Sequence, residues 1–402
     1  MQNTKRNSNV YRSLFFKYLG QTSAEPMGVE VERAKGVRLY GPCDKSYIDL
    51  ISGVSVSNIG HAHPAVVKAI TEQAQCYSHL MVYGEFIQAP QVDYAALLAA
   101  QLPPSLQSIY FVNSGSEAVE AALKLAKRVT GRRELVGCKN AYHGSTHGAL
   151  SLMGGETFKN AFRPLLPGVR HIHFNAVADL EQISAKTAAV IVEPVQGEAG
   201  VIPPERSYLQ ALRARCDEVG ALLIFDEIQT GFGRSGSLFA FQKYGVVPDM
   251  LCLAKALGGG LPLGALVAGP QLMQAWQSRP VLGHITTFGG HPLSCAAGKA
   301  ALSVLLQEGW TECVEKNAAH FRRRLQSCQK ISEIRGDGLL LACELGDVDL
   351  TWRFLRQAID NGIISDNFLF CGTAFRISPP LCISAAEIDE ACDKIIQTLD
   401  NL

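Results

Sequence analysis

The sequence predicts an α/β fold in which a large, mostly parallel sheet is covered by helices and joined to a smaller α+β domain. Between about residues 70 and 266, short aliphatic or β-branched runs alternate with glycine-containing turns and with segments of helical periodicity. Beyond about residue 296, two long helical segments precede several short strand-like runs. No internal repeat and no Pro/Ser-rich linker separates independent modules, so the domain boundaries are expected inside ordered structure.

The large sheet is predicted from buried apolar runs between glycine-containing turns. These runs are Ser108–Val112, Leu135–Cys138, Ala188–Val192, Ala221–Phe225 and Met250–Leu253. A helix is predicted over Glu117–Val129, because apolar residues recur there at three- and four-residue steps and Gly131 closes the segment. Another helix is predicted from about Glu205 to Val219.

The smaller domain is predicted from the C-terminal third, together with the start of the chain. Its helices are expected at Ala296–Gln307, at Thr311–Gln326 and from Ala385, and its strands at Gly338–Glu344, Ile363–Ser365 and Ala374–Ile377. The strand-like segments Val29–Tyr40 and Ser46–Leu50 are expected to join this domain in space. The predicted division is therefore an N-terminal segment over 1–60, a large ligand-binding domain over 61–295, and the rest of the small domain over 296–402.

Composition excludes several classes of function. The 37 Lys and Arg residues balance the 37 Asp and Glu residues, so the formal net charge is zero. Binding to nucleic acid or to a membrane surface depends on a basic excess, and the totals provide none. No apolar run reaches the roughly 18 to 20 residues that span a bilayer.

The cysteines and the N-terminus favour a cytoplasmic protein. The 12 cysteines are scattered without a CxxC pair or a histidine at metal-finger distance, so we expect free thiols, no metal site and a reducing compartment. Lys5, Arg6, Arg12 and Lys17 precede the first acidic residue, as they would in an organelle transit peptide. A short N-terminal helix in a cytoplasmic protein is the preferred interpretation.

Three of the buried runs each end in a charged residue. Glu193 follows AAVIV, Asp226 follows ALLIF, and Lys255 follows MLCLA. A charge at the end of an apolar strand is costly unless it is paired or used, and the ends of strands in α/β sheets border the ligand crevice. One such carboxylate alone could simply cap the next turn. All three together predict a site.

The turn after the strand SIYFV predicts an anion site. Ser114, Gly115 and Ser116 lead directly into a helix, whose N-terminus presents free N–H groups and a partial positive charge. An ordinary serine N-cap would have the same sequence. The spacings of a Walker loop and of a GxGxxG dinucleotide fingerprint are both absent, which disfavours a nucleotide enzyme.

Pyridoxal phosphate needs a phosphate anchor, a lysine that forms a Schiff base with its aldehyde, and a carboxylate beside its pyridine nitrogen. Lys255 fits the lysine role, because burial after an apolar strand lowers the pKa of an amine and leaves it nucleophilic. Asp226 fits the carboxylate role, and Tyr142 of NAYHGST offers an aromatic face for the ring.

The motifs also resemble those of a known family. They include GHAHP, NSGSEA, AYHGST, VEPVQGEAG, LLIFDEIQTGFGRSG, LAKALGGGLPLGA, TTFGGHP, RGDGLLLACEL and FRISPPL. With them the chain resembles the class III (subgroup II) aminotransferases, close to the ornithine, acetylornithine and other ω-amino acid aminotransferases. The resemblance covers nearly the whole chain, and FDEIQTGFGR followed by Lys255 is its most specific part. It implies the pyridoxal-phosphate transferase fold of type I.

The resemblance implies a role for each matched position. Lys255 carries the cofactor and moves a proton, Asp226 pairs with the pyridinium nitrogen, and Tyr142 stacks on the ring. The remaining cofactor contacts that it implies are Gln229 at the ring hydroxyl, and Gly115, Ser116 and Thr287 at the phosphate. Because Thr287 comes from the neighbouring subunit in this family, a homodimer with shared active sites is expected.

The resemblance also implies how substrates bind. Arg376 would clamp a substrate carboxylate, and Glu198 would cover Arg376 while an ω-amino donor is bound, swinging aside for 2-oxoglutarate. Glu193 is a further candidate for substrate binding. Acetylornithine and ornithine enzymes usually have an arginine where this chain has Ser145, so either another residue, with Tyr83 a candidate, reads the far carboxylate of the donor, or the donor differs. A second departure is His291, where the family usually has asparagine.

The first hypothesis is therefore a transaminase that passes the terminal amino group of ornithine, N-acetylornithine or a similar ω-amino acid to 2-oxoglutarate, forming glutamate. Alternatives within the fold are a transaminase for GABA, lysine or another amine, and a glutamate-semialdehyde-type aminomutase. Glu198 together with Arg376 favours transfer between molecules, because a mutase needs no dicarboxylate acceptor. A non-catalytic regulatory protein is disfavoured by Lys255, Asp226 and Tyr142.

Overall fold

The computed structural model of the protein describes residues 8–402. Its strands are β1 Arg33–Lys35, β2 Arg38–Tyr40, β3 Ser46–Asp49, β4 Ser108–Val112, β5 Glu134–Cys138, β6 Val169–Ile172, β7 Thr187–Val192, β8 Leu222–Asp226, β9 Met250–Leu253, β10 Gly264–Ala268, β11 Glu333–Asp337, β12 Leu340–Glu344, β13 Ile363–Ile364 and β14 Ala374–Ile377. Its helices are α1 Ser8–Tyr18, α2 Ser52–Ser55, α3 Pro64–Cys76, α4 Ala89–Ala99, α5 Gly115–Thr130, α6 His147–Leu152, α7 Arg206–Val219, α8 Ala240–Tyr244, α9 Pro270–Met273, α10 Pro292–Glu308, α11 Trp310–Leu325, α12 Val348–Asp360 and α13 Ala385–Asp400. The predicted strands and helices appear within a few residues of their expected ends, except that the segment Val29–Tyr40 contains two short antiparallel strands, β1 and β2.

The main sheet has seven strands in the order β4-β10-β9-β8-β7-β5-β6. Strands β9, β8, β7, β5 and β6 pair in parallel, whereas β10 runs antiparallel to both β4 and β9. The predicted α/β class with a mostly parallel sheet is therefore confirmed. Strand β10, with the sequence GALVA, lies outside the elements predicted from the sequence.

Both faces of this sheet are covered, which explains why its strands are almost wholly apolar. Along β8, Leu223 and Phe225 belong to the larger hydrophobic core, whereas Ile224 between them packs into a second core on the opposite face. That second core is closed by the apolar side of α5, including Ala122 and Leu125. The alternation follows from the two-residue period of a strand.

Helix α5 begins and ends where the sequence predicts a cap. Ser114 is its N-cap, and the Ser114 hydroxyl accepts the backbone N–H of Glu117 at 3.2 Å. The Glu117 carboxylate in turn accepts the backbone N–H of Asn113 at 2.9 Å. Gly131 ends the helix with φ at +67°, a conformation that costs glycine little. Such an N-cap stabilises a helix by about 1 kcal/mol.

The smaller sheets join both ends of the chain. Strands β1, β2, β3 and β13 form one sheet, in which β3 pairs in parallel with β13, and β11, β12 and β14 form another that is antiparallel. The expected meeting of the N-terminal strands with the C-terminal part is thus observed. The domain boundaries at residues 60 and 295 stay a prediction. The elements that were not predicted from the sequence are β6, β10, β11, α2, α3, α4, α6, α8, α9 and α12.

A buried arginine links the main sheet to the smaller ones. Arg234 is fully buried, and its Nη1 donates to the carbonyl oxygens of Leu339 at 2.9 Å and Pro379 at 2.5 Å. Its Nη2 donates to Asn58 Oδ1 at 2.6 Å. Among the described residues no carboxylate lies within ion-pair distance, and burial lowers the Arg234 pKa to about 9. This side chain therefore connects three segments by hydrogen bonds alone.

A buried carboxylate holds the loop after β8 on helix α8. The Glu227 side chain accepts the N–H groups of Ala240 and Phe241 at 2.6 and 2.7 Å and the hydroxyl of Thr230 at 3.0 Å. Burial raises the Glu227 pKa to about 7. The loop that follows Asp226 is fixed by this contact.

Three expectations concern the N-terminal helix, membrane-spanning segments and the cysteines. A short N-terminal helix is present as α1, which carries Arg12 and Lys17, whereas Lys5 and Arg6 lie outside the described residues. No helix within residues 8–402 is long and apolar enough to cross a membrane. All 12 cysteines lie in this range, and each is a free thiol.

Candidate active site

A cavity of about 420 Å³ opens at the carboxyl ends of the central parallel strands. Glu193 follows β7, Asp226 ends β8, and Lys255 comes two residues after β9. All three line this cavity, as the sequence predicts. The other lining residues are Val56, Asn113, Ser114, Gly115, Ser116, Tyr142, His143, Gly144, Ser145, Val195, Ile228, Gln229, Thr230, Ala254, Gly260, Leu261, Pro262 and Leu263.

Asp226 is held by a histidine that the sequence analysis did not single out. The Asp226 side chain is only 4% exposed, and its Oδ2 lies 2.7 Å from His143 Nδ1. Its Oδ1 accepts the backbone N–H of Ile228 at 3.1 Å. Burial alone would lower the His143 pKa, but the hydrogen bond and the charge of Asp226 outweigh burial and raise it. The pair thus keeps an oriented carboxylate at the cavity wall.

Lys255 lies in a short turn with an unusual backbone. Its φ is +52°, in the left-handed region, at the start of the 3₁₀ turn Lys255–Gly258. Burial lowers the Lys255 pKa, and the charge of Arg376 lowers it further, although Glu198 and Asp226 oppose both effects. A backbone strained in this way is found mostly at functional sites, and a lowered pKa makes the amine a better nucleophile and base near neutral pH.

The N-terminus of α5 forms the other wall of the cavity. Gly115 is the first residue of the helix, and a Cβ at this position would clash with the side chain of Ile228. The Ser116 hydroxyl lies 2.6 Å from Thr146 Oγ1 and accepts the Thr146 backbone N–H at 3.2 Å. Free helix N–H groups next to these hydroxyls are suited to an anion.

Tyr142 and Glu193 lie between these two walls. The Tyr142 hydroxyl is 3.4 Å from Ser145 Oγ, and its backbone N–H donates to Glu193 Oε2 at 3.1 Å. Glu193 Oε1 accepts the N–H of Gly197 at 3.1 Å. Burial and the nearby charge of Asp226 raise the Glu193 pKa to about 7. Glu193 therefore positions the Tyr142 loop through backbone contacts.

Arg376 is buried behind Gln229, with its charge fully engaged. The side chain of Arg376 is 1% exposed, and its Nη2 donates to Glu198 Oε1 at 2.9 Å. Its Nη1 donates to Gln229 Oε1 at 3.0 Å, and its Nε donates to Asp366 Oδ1 at 2.8 Å. Burial acts to lower the Arg376 pKa, but the two carboxylates reverse this effect and raise it. The contact between Arg376 and Glu198 matches the predicted pair, whereas Asp366 was not predicted.

Four predicted site residues are not among those that line the cavity of one chain. Arg376 and Glu198 lie behind Gln229, and Tyr83 and Thr287 lie on two loops. Tyr83 is half-buried and Thr287 is exposed. They belong to two loops that touch, since the rings of His79 and Phe288 are 4.7 Å apart. His291, which departs from the family pattern, stacks on His79 with ring centroids 5.4 Å apart.

These two loops carry an exposed apolar surface. Its members are Leu80, Met81, Phe86, Ile87, Val281, Leu282, Ile285 and Phe288. Ile87 is 96% exposed and Val281 is 69% exposed. A concentration of large apolar side chains of this kind is typical of an interaction surface.

The residues at the cavity fit pyridoxal phosphate. Gly115 and Ser116 at the N-terminus of α5 can hold a phosphate, and Asp226, backed by His143, can pair with a protonated ring nitrogen. Lys255 at the opposite wall can reach an aldehyde, and the half-buried Tyr142 offers a ring face. Between these groups lies a cavity of about 420 Å³, within the usual range for small-molecule sites.

Comparison with known proteins points to one family. The profile of the family described as aminotransferase class-III matches residues 19–399. The acetylornithine aminotransferase of Methanopyrus kandleri is 40% identical over 392 residues, which are 96% of this chain and 98% of that protein. The acetylornithine aminotransferase of Clostridium acetobutylicum is 38% identical over 90% of this chain and 94% of its own.

Solved structures agree with these relatives. The ornithine aminotransferase of Toxoplasma gondii ME49 superimposes with a TM-score of 0.91 at 31% identity, covering 99% of this chain and 96% of that one. A second structure of the Toxoplasma gondii enzyme, with a TM-score of 0.89 at 32% identity over 99% of this chain and 95% of that one, has PLP at partial occupancy in its active site.

Proposed function

We propose that this chain, which belongs to the class-III aminotransferases, transfers the terminal amino group of an ω-amino acid to 2-oxoglutarate. The proposal rests mainly on the ion pair by which Glu198 covers Arg376 next to the cavity. Glu198 and Gln229 occupy both Nη groups of Arg376, so a donor meets an arginine whose charge is already neutralised. The names of the similar enzymes support ornithine or N-acetylornithine as the donor.

Pyridoxal phosphate, the cofactor of this enzyme, supplies an electron sink when it is bound, so that a proton can leave the carbon that bears the amino group. Lys255 would hold its aldehyde, Asp226 its ring nitrogen, Gln229 its ring hydroxyl and Tyr142 its ring face. Its phosphate would lie on Gly115 and Ser116, with Thr287 of the partner subunit completing the contacts. His143 would keep Asp226 oriented through its hydrogen bond.

Lys255 is the residue proposed to move the proton. Its pKa is lowered, mainly by burial, which favours the neutral amine that can accept a proton. Once charged, the ammonium would be stabilised by Glu198, Asp226 and Glu193, against the opposing charge of Arg376, until the proton is passed on. Lys255 would therefore act as base toward the substrate carbon that bears the amino group, and then as acid toward the cofactor.

Glu198 and Arg376 would distinguish the two substrates. With an ω-amino donor, the pair stays closed and no carboxylate is drawn to Arg376. With 2-oxoglutarate, Glu198 turns aside, and the Arg376 fork binds the carboxylate next to the oxo group in two-pronged geometry. Glu193 stays fixed on its backbone partners and shapes the donor side of the cavity.

Ser145 affects how the far carboxylate of the donor can be recognised. It lines the cavity at the position where the related enzymes usually have an arginine, and its hydroxyl can donate one hydrogen bond but cannot pair with a carboxylate. Tyr83 remains a candidate for reading that carboxylate, and we propose that it does so from the partner subunit. A GABA, lysine or other amine transaminase is therefore the alternative within the family.

We further propose that the enzyme is a homodimer with shared active sites. Support comes from the apolar surface on the loops that carry Tyr83 and Thr287, because both residues lie outside the cavity of their own chain. Burying this surface against a second copy would bring Thr287 of each chain toward the other cavity. Analytical ultracentrifugation of Ile87→Asp, with Val247→Asp at another exposed apolar site as control, tests this: only the first substitution should give monomers.

A glutamate-semialdehyde-type aminomutase is the second candidate function. The pairing of Glu198 with Arg376 favours transfer between two molecules over it, because an internal transfer has no need for a covered arginine. We place the enzyme in the cytoplasm, in keeping with its 12 free thiols.

A panel of amino donors against 2-oxoglutarate, scored by glutamate formation, tests the proposal. Ornithine, N-acetylornithine, GABA and lysine should be compared with α-amino acids that have no second amino group. We expect ω-amino donors to give the higher kcat/KM. If only α-amino donors form glutamate, the proposed role of Glu198 is wrong. If glutamate semialdehyde is converted and no donor forms glutamate, the aminomutase is correct.

A further inference from the structure

Arg376 is held on one side by parts of its own hairpin and on the other by residues from separate loops. Arg376 and Asp366 face each other across the turn that precedes β14, where the Arg376 N–H donates to the carbonyl of Asp366 at 2.9 Å. Ser365 Oγ donates to the Arg376 carbonyl at 2.7 Å, which closes the same hairpin. Arg376 also packs on the ring of Phe368, with its guanidinium carbon 4.5 Å from the ring centroid.

The groups from separate loops occupy the end of the guanidinium. Glu198 and Gln229 take the Nη2 and Nη1 donors, and Gln229 itself lines the cavity. Glu198 is held in this position by the N–H of Leu369 at 3.2 Å. When Glu198 turns aside, the end of the fork is free, but Asp366 keeps its bond to Nε. The incoming carboxylate therefore meets an arginine that already has one negative partner.

The balance of charge around Arg376 is the same before and after an acceptor binds. While Glu198 covers Arg376, there is one positive charge on Arg376 and there are two negative charges, on Glu198 and Asp366. With Glu198 withdrawn and an oxo-acid carboxylate bound, the count is the same, so the carboxylate binds against the repulsion of Asp366. Because the side chain of Asp366 is only 22% exposed, water screens this repulsion weakly. Burial, with help from the charge of Glu198, raises the Asp366 pKa despite its bond to Arg376, in line with such crowding.

We propose that Asp366 is a specificity-determining residue that aims the Arg376 fork at the cavity and at the same time limits how tightly the fork holds the carboxylate of an oxo acid. The inference rests on the proposed function, since it assigns Arg376 to the carboxylate of the acceptor. A residue with this role favours release of the amino acid formed from the oxo acid, at the cost of weaker acceptor binding.

Asp366→Asn separates the two effects, because the amide oxygen can still accept from Nε while the charge is lost. The holoenzyme is assayed with ornithine or N-acetylornithine as donor and three acceptors: 2-oxoglutarate, pyruvate and butanal, an aldehyde without a carboxylate. We expect the KM of both oxo acids to fall about 10-fold relative to the KM of butanal. Asp349→Asn, on the exposed first turn of α12, is the control and should leave the ratio unchanged.

Each other outcome overturns the inference. If no KM value changes, the charge of Asp366 does not reach the acceptor. If the ratio of the oxo-acid KM to the butanal KM rises, Asp366 only braces Arg376. If the KM values of all three acceptors fall equally, the site is loosened in general. Asp366→Ser, which also removes the charge, should give the same direction and serves if the Asn variant folds poorly. Failure of the unmodified enzyme to use any acceptor would instead refute the proposed function.

Discussion

Removing the cover on Arg376 should change which amino group the enzyme prefers. In Glu198→Ala the hydrogen bond from Arg376 Nη2, now 2.9 Å long, is lost, and Arg376 keeps Asp366 and Gln229. The end of the fork then faces the cavity without its negative partner. An α-amino acid can present its carboxylate to Arg376 without first displacing Glu198.

The size of the effect follows from the bond that has to be broken. A hydrogen bond between charged groups contributes about 1.5–3 kcal/mol net, and Asp366 remains to compensate the buried Arg376 charge. At about 1.4 kcal/mol for each factor of ten, opening the cover costs a carboxylate donor about 10- to 100-fold in kcat/KM. Without Glu198 this cost disappears. The ratio of kcat/KM for an ω-amino donor to that for an α-amino donor should therefore fall by about 10- to 100-fold.

Steady-state kinetics with 2-oxoglutarate as the fixed acceptor measures this ratio for N-acetylornithine against an α-amino acid such as L-alanine, with pyruvate as its product. Glu205→Ala is a matched control, because Glu205 lies on the same segment between β7 and α7 but is exposed, and its side chain does not cap the helix. A Glu198→Ala ratio equal to that of the control would refute the reasoning.

Three further predictions concern buried groups. For His143→Phe in the cofactor-free protein, the loss of unfolding free energy should be larger near pH 6 than near pH 9. The raised pKa of His143 stabilises the fold below the ordinary histidine pKa, and this stabilisation disappears as the pH rises through the raised value. An equal loss at both pH values, measured by urea denaturation, would contradict this. The Glu227 pKa is raised to about 7, so the fold loses stability as the pH rises from the ordinary glutamate pKa through 7. Between about pH 5 and 8 the unfolding free energy of the wild type should therefore fall by roughly 2–3 kcal/mol more than that of Glu227→Gln. Parallel curves of unfolding free energy against pH would refute this. Arg234→Leu leaves the carbonyls of Leu339 and Pro379 without their donor and should lower the unfolding free energy by about 3–5 kcal/mol, whereas a loss below about 1 kcal/mol would show that the hydrogen bonds are dispensable.

The sequence was sufficient to predict the centre of the site. Glu193, Asp226 and Lys255 each end an apolar run, and parallel strands bring their carboxyl ends to one edge of a sheet. All three line one cavity in the structure. The prediction worked because burial of a charge is costly and therefore informative, independent of any detail of packing.

The partners of these residues could not be predicted in the same way. His143 precedes Asp226 by many positions, and only the pairing of strands β5, β7 and β8 brings the two side chains within 2.7 Å. Asp366 faces Arg376 across a hairpin whose register is not visible in the sequence. For His143 the available signal was its position next to Tyr142, and for Asp366 there was none.

The missed strands have a similar explanation. Strand β11 has the sequence EIRGD, which lacks an apolar run, and it is held by five residue pairs with β12. Strand β10 follows a stretch rich in glycine, which favours a turn. In both strands tertiary pairing outweighs local propensity. Thr287 and Tyr83 are a different case, because a single chain does not bring them to its own cavity, and their roles stay predictions.

The most direct test of the central claim follows the nitrogen. The holoenzyme is incubated with 2-oxoglutarate and with N-acetylornithine, or ornithine, labelled with ¹⁵N either at the terminal or at the α position, and the glutamate formed is analysed by mass spectrometry. Transfer of the terminal amino group predicts labelled glutamate from the terminally labelled donor and unlabelled glutamate from the donor labelled at the α position. Label in glutamate from the α position would contradict the account.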